Sequence, residues 1–330
     1  MLKKVNVAVV GATGMVGRMF LKVLEERDFP IDKFYLFASE KSAGSKVEFR
    51  GKEYIVEELN QNSFDRDIDI ALFSAGGSTS LKYSPIAASK GVTVIDNSSA
   101  FRMEKDVPLV VPEVNPEDVK WHKGIIANPN CSTIQAVVAL KPLHDRYKIK
   151  RIVYSTYQSV SGSGVKGVKD LEEGLKGNPN TFYPHPIANN CLPHIDVFLE
   201  NGYTKEEVKM IEETKKIMGD QSLKITATTV RVPVSSGHSE SINVEFHNNF
   251  DIDEVKALLK NSPGIIVQDD PNSNLYPLAV NASGKDEVFV GRIRRDDSVD
   301  FGLNMWVVAD NIRKGAASNA VQIAELLIKM

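Results

Sequence analysis

The sequence contains little cysteine. Only Cys131 and Cys191 occur among its 330 residues. Two cysteines cannot build the disulfide framework of a small secreted protein, so this scarcity indicates a reducing compartment. No apolar run approaches the roughly 18 residues that a membrane-spanning helix needs. The sequence therefore predicts a soluble, cytoplasmic protein.

An excess of charge of one sign is also absent. The 40 Lys and Arg residues and the 43 Asp and Glu residues give a formal net charge of −3. Nucleic-acid-binding proteins usually carry a basic surface, and this balance supplies none. No spacing of cysteine and histidine fits a metal site, and the chain has no repeats or low-complexity tracts. What remains is an ordinary globular composition, and the length predicts two domains.

The first 130 residues alternate between strand and helix patterns. Short apolar runs predict buried parallel strands at 5–10, 33–38, 67–75, 91–97 and 124–128. Helical spacing of apolar residues follows the first run, over 15–26. This alternation predicts βαβ units and a doubly wound, Rossmann-type parallel sheet.

The pattern changes after residue 130. Longer alternating runs predict strands at 150–160, 223–235, 239–247, 287–294 and 299–309. Helices are predicted at 165–176, 193–201, 204–218 and 251–260. Together they indicate an α+β domain with a mostly antiparallel sheet. We therefore expect one domain over 1–130, on which a C-terminal helix at 314–330 packs back, and a second over 131–313.

A glycine-rich loop joins the first strand to the first helix. In "VAVVGATGMVGRMF", Gly11, Gly14 and Gly17 form a spacing variant of the dinucleotide fingerprint. Glycines let the backbone approach a pyrophosphate, which the N–H groups at the helix N-terminus then stabilise. A purely structural turn is the alternative. The residues that we assign to the cofactor here are Gly11, Thr13, Gly14, Met15 and Val16. A second glycine turn, "FSAGGSTS", follows the third strand, where ligands of such sheets also collect.

The end of the second strand distinguishes NADP from NAD. NAD sites place a carboxylate there for the ribose hydroxyl, whereas NADP sites prefer cations and hydroxyls. In "FASEKSAG", Ser39, Lys41 and Ser42 suit the 2′-phosphate, although Glu40 would suit NAD. The segment favours NADP.

Cys131 lies between a turn and a helix, in "NPNCSTIQAVVAL". The dipole and free N–H groups of a helix N-terminus stabilise a thiolate. A buried, inert cysteine is the alternative. The polar Asn, Ser and Thr residues around Cys131 are poor core formers, so the pattern favours a nucleophile.

Eight segments in order resemble the aspartate-semialdehyde dehydrogenase family. They extend from residue 11 to 317 and read "GATGMVG", "DNSSAFR", "NPNCST", "QSVSGSG", "PHID", "ETKKI", "RVPVSSGH" and "RKGAA". The resemblance implies NADPH-dependent reductive dephosphorylation of L-aspartyl 4-phosphate to L-aspartate 4-semialdehyde, in lysine, threonine and methionine biosynthesis. It also implies an NADP-binding first domain and a catalytic second domain that mediates assembly into a homodimer or a dimer of dimers.

The resemblance assigns roles to single residues. Cys131 would attack the acyl phosphate to form a thioester, Gln158 would orient the substrate, and His238 would be the general acid and base. Arg231 would bind the substrate carboxylate, a task that suits a guanidinium because it donates two parallel hydrogen bonds. Glu213 would accept from the substrate ammonium. The remaining assignments are Arg102 and Lys216 for phosphate, Asn130 for substrate, and Ser161, Gly162 and Asn311 for the cofactor.

Other interpretations stay open. N-acetyl-glutamyl-phosphate reductase shares the chemistry, but it typically has Gly before and Tyr after its cysteine, and "NPNCST" has neither. The Ser-Cys-Thr-Thr-Asn signature of glyceraldehyde-3-phosphate dehydrogenase is absent. A non-catalytic nucleotide-binding regulator is a further alternative. Glu212 and Lys216 could simply stabilise a helix as an i, i+4 pair. Cys191 stands where the family usually has a bulky apolar residue, and we expect it to fill a small space in the core.

Overall fold

The computed structural model describes residues 4–330. The chain forms two compact units. The first contains the residues up to Asn130 together with Ala316–Met330, and the second contains Cys131–Gly315. In the described part of the chain, no helix combines the length and apolarity required to cross a membrane.

The first unit contains a six-stranded, fully parallel sheet. Its elements are β1 (Val5–Val10), α1 (Met15–Glu26), β2 (Ile31–Ala38), β3 (Lys46–Phe49), β4 (Lys52–Ile55), β5 (Glu57–Glu58), β6 (Ile70–Phe73), α2 (Gly77–Ser89), β7 (Thr93–Asp96) and β8 (Ile125–Ala127). The strand order is β5-β2-β1-β6-β7-β8, and β3 and β4 form a separate hairpin. All six residues of β1 are buried, as expected for a central strand covered on both faces. The doubly wound sheet is confirmed.

The second unit contains a mixed sheet. Its elements are α3 (Cys131–Tyr147), β9 (Ile149–Gln158), α4 (Gly164–Leu175), α5 (Lys205–Met218), β10 (Lys224–Arg231), β11 (His238–Phe246), α6 (Ile252–Lys260), β12 (Ile265–Val267), α7 (Ala279–Ala282), β13 (Val288–Asp296) and β14 (Gly302–Ala309). The strand order is β10-β9-β11-β14-β13-β12. The three central pairs are antiparallel and the two edge pairs are parallel. The predicted mostly antiparallel sheet is confirmed.

The end of the chain belongs to the first unit. A π-helical turn, Arg313–Ala317, precedes α8 (Ser318–Leu327). Ala320, Val321 and Ala324 of α8 are fully or almost fully buried in the same apolar cluster as Phe20 and Leu24 of α1. An Arg27–Glu325 ion pair, with N–O distances of 2.7 and 2.8 Å, joins the two helices at the surface.

One predicted helix, at 193–201, is wrong. The segment is irregular, and Asp196 has the left-handed φ of 66°. The Asp196 carboxylate accepts a hydrogen bond from the N–H of Val197 (2.9 Å), a local bond that competes with helix formation. Phe198 is 61% exposed, so its side chain gains no burial that would favour a helix. The prediction also omitted the β3–β4 hairpin and the short strands β5 and β12.

Candidate active site

Cys131 is the first residue of α3, as the sequence predicts. Its thiol is free of disulfide bonding and half-buried. Gly315 lies against it: a Cβ atom at Gly315 would stand 2.8 Å from the Cys131 Cβ. Real Cβ atoms essentially never approach so closely, so the space beside the thiol requires glycine. Gly315 was not among the predicted site residues.

The first turn of α3 runs beside the strand that carries His238. Residues at i and i+4 share a helix face, so Cys131 and Gln135 point the same way. The Gln135 amide donates to the backbone oxygen of His238 at 3.3 Å. Cys131 therefore lies one helical turn, about 5 Å, from a residue that touches His238.

His238 is fully buried and has a defined orientation. Its Nδ1 accepts from the Ser159 N–H at 3.0 Å, and the Ser159 hydroxyl lies 3.1 Å away. A backbone N–H can only donate, so the neutral ring carries its proton on Nε2. Burial lowers the pKa of His238 well below its ordinary value, and the charge of Arg231 lowers it further. His238 is thus neutral at pH 7 and presents an Nε2–H donor.

Ser159, Ser161 and Asn311 hold this histidine in place. The Asn311 Oδ1 accepts from both hydroxyls at 3.1 Å and from the Gly237 N–H at 3.0 Å. Asn311 also donates to the Ser161 hydroxyl at 3.0 Å. In the described structure, the predicted cofactor residues Ser161 and Asn311 therefore form the support of His238. Their contact with a cofactor stays a prediction.

Arg231 and Gln158 end two paired strands, β10 and β9, and face each other in register. Arg231 is 4% exposed, and its Nη1 donates to the backbone oxygen of Ser159 at 2.6 Å. Its Nε has no hydrogen-bond partner among residues 4–330. Gly162 adjoins both functional side chains: a Cβ there would lie 2.9 Å from Arg231 Nη1 and 3.3 Å from His238 Nε2. A buried guanidinium with an unused donor is suited to bind a carboxylate.

Helix α5 carries Glu213 and Lys216. A Thr204–Glu207 capping box begins the helix, and Gly219 ends it in the left-handed conformation. Glu213 is 1% exposed, whereas Lys216 is half-buried. Glu212 pairs with Lys215 at 3.4 Å. A solvated helix face accounts for that surface pair but not for a carboxylate as buried as Glu213.

The first unit contains a cleft of about 410 Å³ at the carboxyl ends of its strands. Lining residues are Val10, Gly11, Thr13, Gly14, Ala38, Ser39, Leu59, Ser74, Ala75, Thr79 and Tyr83. Gly11 has a φ of 86°, and a Cβ there would stand 2.3 Å from the Ser74 oxygen. Only glycine fits this position, as a loop that cradles a pyrophosphate requires. Met15 and Val16, also assigned to the cofactor, form the first turn of α1.

The segment after β2 is a 3-10 turn, Glu40–Ser42, preceded by Ser39. Ser39 lines the cleft, and Lys41, two residues later in the sequence, is exposed. Glu40 is exposed as well. The turn therefore offers both a cation and a carboxylate at the end of the strand.

The first unit also contains Arg102 and Asn130, both buried. Arg102 donates from Nε to the Asn128 oxygen at 2.9 Å and from Nη2 to the Asn97 oxygen at 3.0 Å. These carbonyl groups orient the guanidinium. Cys191 is exposed, so the expectation that it fills the core is wrong. Its N–H donates to the side-chain oxygen of Asn190 at 2.9 Å, in an irregular surface segment.

Family models for semialdehyde dehydrogenases match both parts of the chain. The NAD binding domain of this class matches residues 6–122, and its dimerisation domain matches residues 140–314. The class is thus that of oxidoreductases that pair a Rossmann-type NAD(P)-binding domain with a dimerisation domain.

Individual relatives narrow the class. Aspartate-semialdehyde dehydrogenase of Aquifex aeolicus is 61% identical, with 98% of each chain covered. That of Campylobacter jejuni is 52% identical over 100% of this chain and 99% of its own. Aspartate semialdehyde dehydrogenase II of Vibrio cholerae, solved in complex with ASA, is 50% identical with a TM-score of 0.95 and 99% coverage of both chains. The chain belongs to the aspartate-semialdehyde dehydrogenase family, as the eight segments indicate.

Proposed function

We propose that the chain reduces L-aspartyl 4-phosphate to L-aspartate 4-semialdehyde with NADPH, through a thioester on Cys131. The placement of the thiol carries this proposal: α3 positions it one helical turn from Gln135, which contacts the His238 backbone. The same unit also holds Arg231 and Gln158. We further propose that the product serves lysine, threonine and methionine biosynthesis, as the resemblance implies. We also propose assembly as a homodimer or a dimer of dimers, and the match of residues 140–314 to a dimerisation domain supports the dimer.

In the first half-reaction, the Cys131 thiolate attacks the acyl carbon. The carbon–sulfur bond forms, and phosphate leaves with the electrons of the broken carbon–oxygen bond, towards Arg102 and Lys216. Arg231 holds the α-carboxylate, and Glu213 accepts from the α-ammonium. Asn130, the residue before the nucleophile, adds a further contact to the substrate. The covalent thioester divides one difficult reduction into two easier steps.

NADPH, when bound, supplies the hydride that reduces the thioester. The residues that would hold it are those of the Gly11 cleft, together with Ser161, Gly162 and Asn311. Reduction leaves an oxyanion on the carbon attached to Cys131. The His238 Nε2–H stabilises this oxyanion by hydrogen bonding, because burial keeps the ring neutral. The oxyanion then re-forms a carbonyl, the carbon–sulfur bond breaks, and the thiolate is restored.

NADP is favoured over NAD by Ser39, Lys41 and Ser42 at the end of β2. A structural relative from Candida albicans, 27% identical with a TM-score of 0.79 and 98% coverage of both chains, is described with NADP. Lys41→Ala should weaken NADP binding about tenfold and NAD binding little, because only NADP has a 2′-phosphate. Fluorescence titration with both cofactors measures this. Equal losses would mean that the 2′-phosphate binds elsewhere.

The test of the whole function is an assay in the reverse direction. Aspartate semialdehyde, inorganic phosphate and NADP should yield NADPH, with turnover dependent on phosphate. N-acetyl-glutamate semialdehyde should react at least about a hundredfold less efficiently. Preference for the acetylated substrate would identify the rival reductase, and cofactor binding without turnover would identify a regulator.

A further inference from the structure

A chain of buried contacts fixes the side-chain amide of Gln158. Its Nε2 donates to Glu206 Oε1 and to Thr156 Oγ1, both at 3.3 Å. Glu206 is 5% exposed and lies in the first turn of α5. A carboxylate can only accept hydrogen bonds, so it determines which end of the amide faces α5. A threonine hydroxyl can donate or accept and would not determine this alone.

A cation is paired with the Glu206 carboxylate. Lys209 Nζ lies 3.0 Å from Glu206 Oε2 and 2.7 Å from Asp196 Oδ2. Burial lowers the pKa of Lys209, but the two carboxylates outweigh it and raise that pKa above its ordinary value. Burial raises the pKa of Asp196, and the Lys209 contact outweighs this and lowers it. Lys209 and Asp196 are therefore charged at neutral pH.

The remaining atom of the Gln158 amide is Oε1, an acceptor. No hydrogen bond to Oε1 is present among residues 4–330. The substrate assigned above carries a carboxylate, a carbonyl, a phosphate and an α-ammonium. Of these groups, only the ammonium is an obligate donor. An inverted amide would present Nε2 and leave that ammonium facing another donor.

We propose that Glu206 is a positioning residue, which holds the Gln158 amide so that Oε1 faces the substrate ammonium. This inference rests on the proposed function, because it takes an aspartyl substrate as given. Glu206 itself acts through Gln158 and contacts no reacting atom. The Lys209–Asp196 contacts extend the support to the "PHID" segment, which the sequence alone left without a role.

Glu206→Gln tests the proposal, because glutamine can match either end of the Gln158 amide. The Michaelis constant for aspartate semialdehyde should rise about tenfold, the effect of one good hydrogen bond, while that for phosphate stays unchanged. Glu206→Asp, which keeps the charge but withdraws the carboxylate by one methylene, should act in the same direction. Unchanged constants in both variants would overturn the proposal.

Glu207→Gln is the matched control. Glu207 is buried on the same helix, but it bonds the N–H groups of Thr204 (2.7 Å) and Thr229 (3.1 Å) and not Gln158. It should lower thermal stability and leave both Michaelis constants unchanged. A tenfold rise in this control as well would mean that the position of α5 matters and the Gln158 amide does not.

A double-mutant comparison separates positioning from general support. In a Gln158→Ala background, Glu206→Gln should change the Michaelis constant for aspartate semialdehyde less than about twofold, because coupled residues are not additive. The same tenfold rise in both backgrounds would overturn the proposal. Absence of phosphate-dependent turnover in the wild-type protein would instead refute the proposed function, so the two failures are distinguishable.

Discussion

The candidate sites of the two units differ in the kind of residues that form them. The cleft of the first unit is lined largely by small residues, with the Gly11 backbone pressed against the Ser74 oxygen. The second unit buries chemically active side chains: Arg231, Glu213 and His238 are 4%, 1% and 0% exposed. A backbone cradle depends on local conformation, whereas a buried side-chain cluster depends on partners far away in sequence. Variants in the two units should therefore fail in different ways.

The largest expected effect is at the nucleophile. Cys131→Ser should lower turnover more than about a thousandfold, because a serine hydroxyl at neutral pH does not replace a thiolate. Its affinity for NADP should remain, since the Gly11 cleft is untouched. Stopped-flow or steady-state assays and fluorescence titration measure the two quantities. Cys191→Ser, the exposed counterpart, should keep full activity, and substantial loss in that control would contradict the assignment.

The backbone cradle should respond to a single methyl group. Gly11→Ala forces a Cβ to within 2.3 Å of the Ser74 oxygen at a φ of 86°. We expect a loss of stability of roughly 2 kcal/mol or more and weakened binding of NADP and NAD alike. Gly44→Ala is the control, since Gly44 has a similar φ of 82° but a Cβ there would meet no atom within 4 Å among the described residues beyond its two chain neighbours. It should cost about 1 kcal/mol in thermal unfolding and leave cofactor affinity unchanged.

Within the second unit, substitutions of two cations, Arg231 and Lys216, should raise different Michaelis constants. Arg231→Lys should raise the Michaelis constant for aspartate semialdehyde about tenfold, because lysine cannot donate two parallel hydrogen bonds to a carboxylate. Lys216→Ala should mainly raise that for phosphate. Losses in the double variant should be largely additive if the two cations touch different parts of the substrate. If phosphate dependence is unchanged in Lys216→Ala, "ETKKI" provides only a charged helix face.

A smaller effect should come from Glu240, which lies two residues after His238 on β11 and should make the unfolding free energy depend on pH. Neither carboxylate oxygen has a hydrogen-bond partner in the described part of the chain. Burial raises the pKa of Glu240 well above its ordinary value. The folded state therefore favours the protonated form, and stability is lost as pH rises from the ordinary carboxyl pKa through the folded one.

Glu240→Gln removes this dependence without changing the shape of the side chain. Relative to the wild type, the variant should gain about 1.4 kcal/mol of unfolding free energy per pH unit over that window, and nothing more above it. Denaturant titrations from pH 5 to 8 measure the difference. Burial raises the pKa of Tyr154 and lowers that of His238, and both groups are common to the two proteins, so their titration cancels in the comparison. Parallel stability curves would show that Glu240 is ionised in the folded state.

Local features of the fold could be predicted from the sequence. The β-branched runs of the first unit and the glycine spacing after β1 act through neighbouring residues, so the parallel sheet and the Gly11 loop could be recognised. The helix at 193–201 could not be excluded, because the turn at Asp196 depends on its side-chain contacts. Glu206 resembles any acidic residue in a first helical turn. Its contact with Gln158 joins positions 48 residues apart, which no local pattern reveals.

Contacts within the candidate site likewise join positions that are far apart in the sequence. His238 and Arg231 were assigned from the resemblance, and Cys131 from its place at a helix N-terminus as well as from the resemblance. The catalytic roles of all three stay predictions. The supporting residues Ser159 and Gly315 were not among them. Ser159 occurs within the quoted "QSVSGSG", but only the folded chain brings its N–H to the His238 ring.

The burial of α8 in the first unit has a consequence for protein synthesis. The ribosome delivers the strands of the parallel sheet first, but Ala320, Val321 and Ala324 complete the core beside α1. The whole second unit, Cys131–Gly315, must be made in between. At roughly 5–20 residues per second, that interval is on the order of ten seconds or more. During that interval α8 does not yet cover the apolar surface of α1. This surface is therefore where a nascent chain would first need protection by a chaperone.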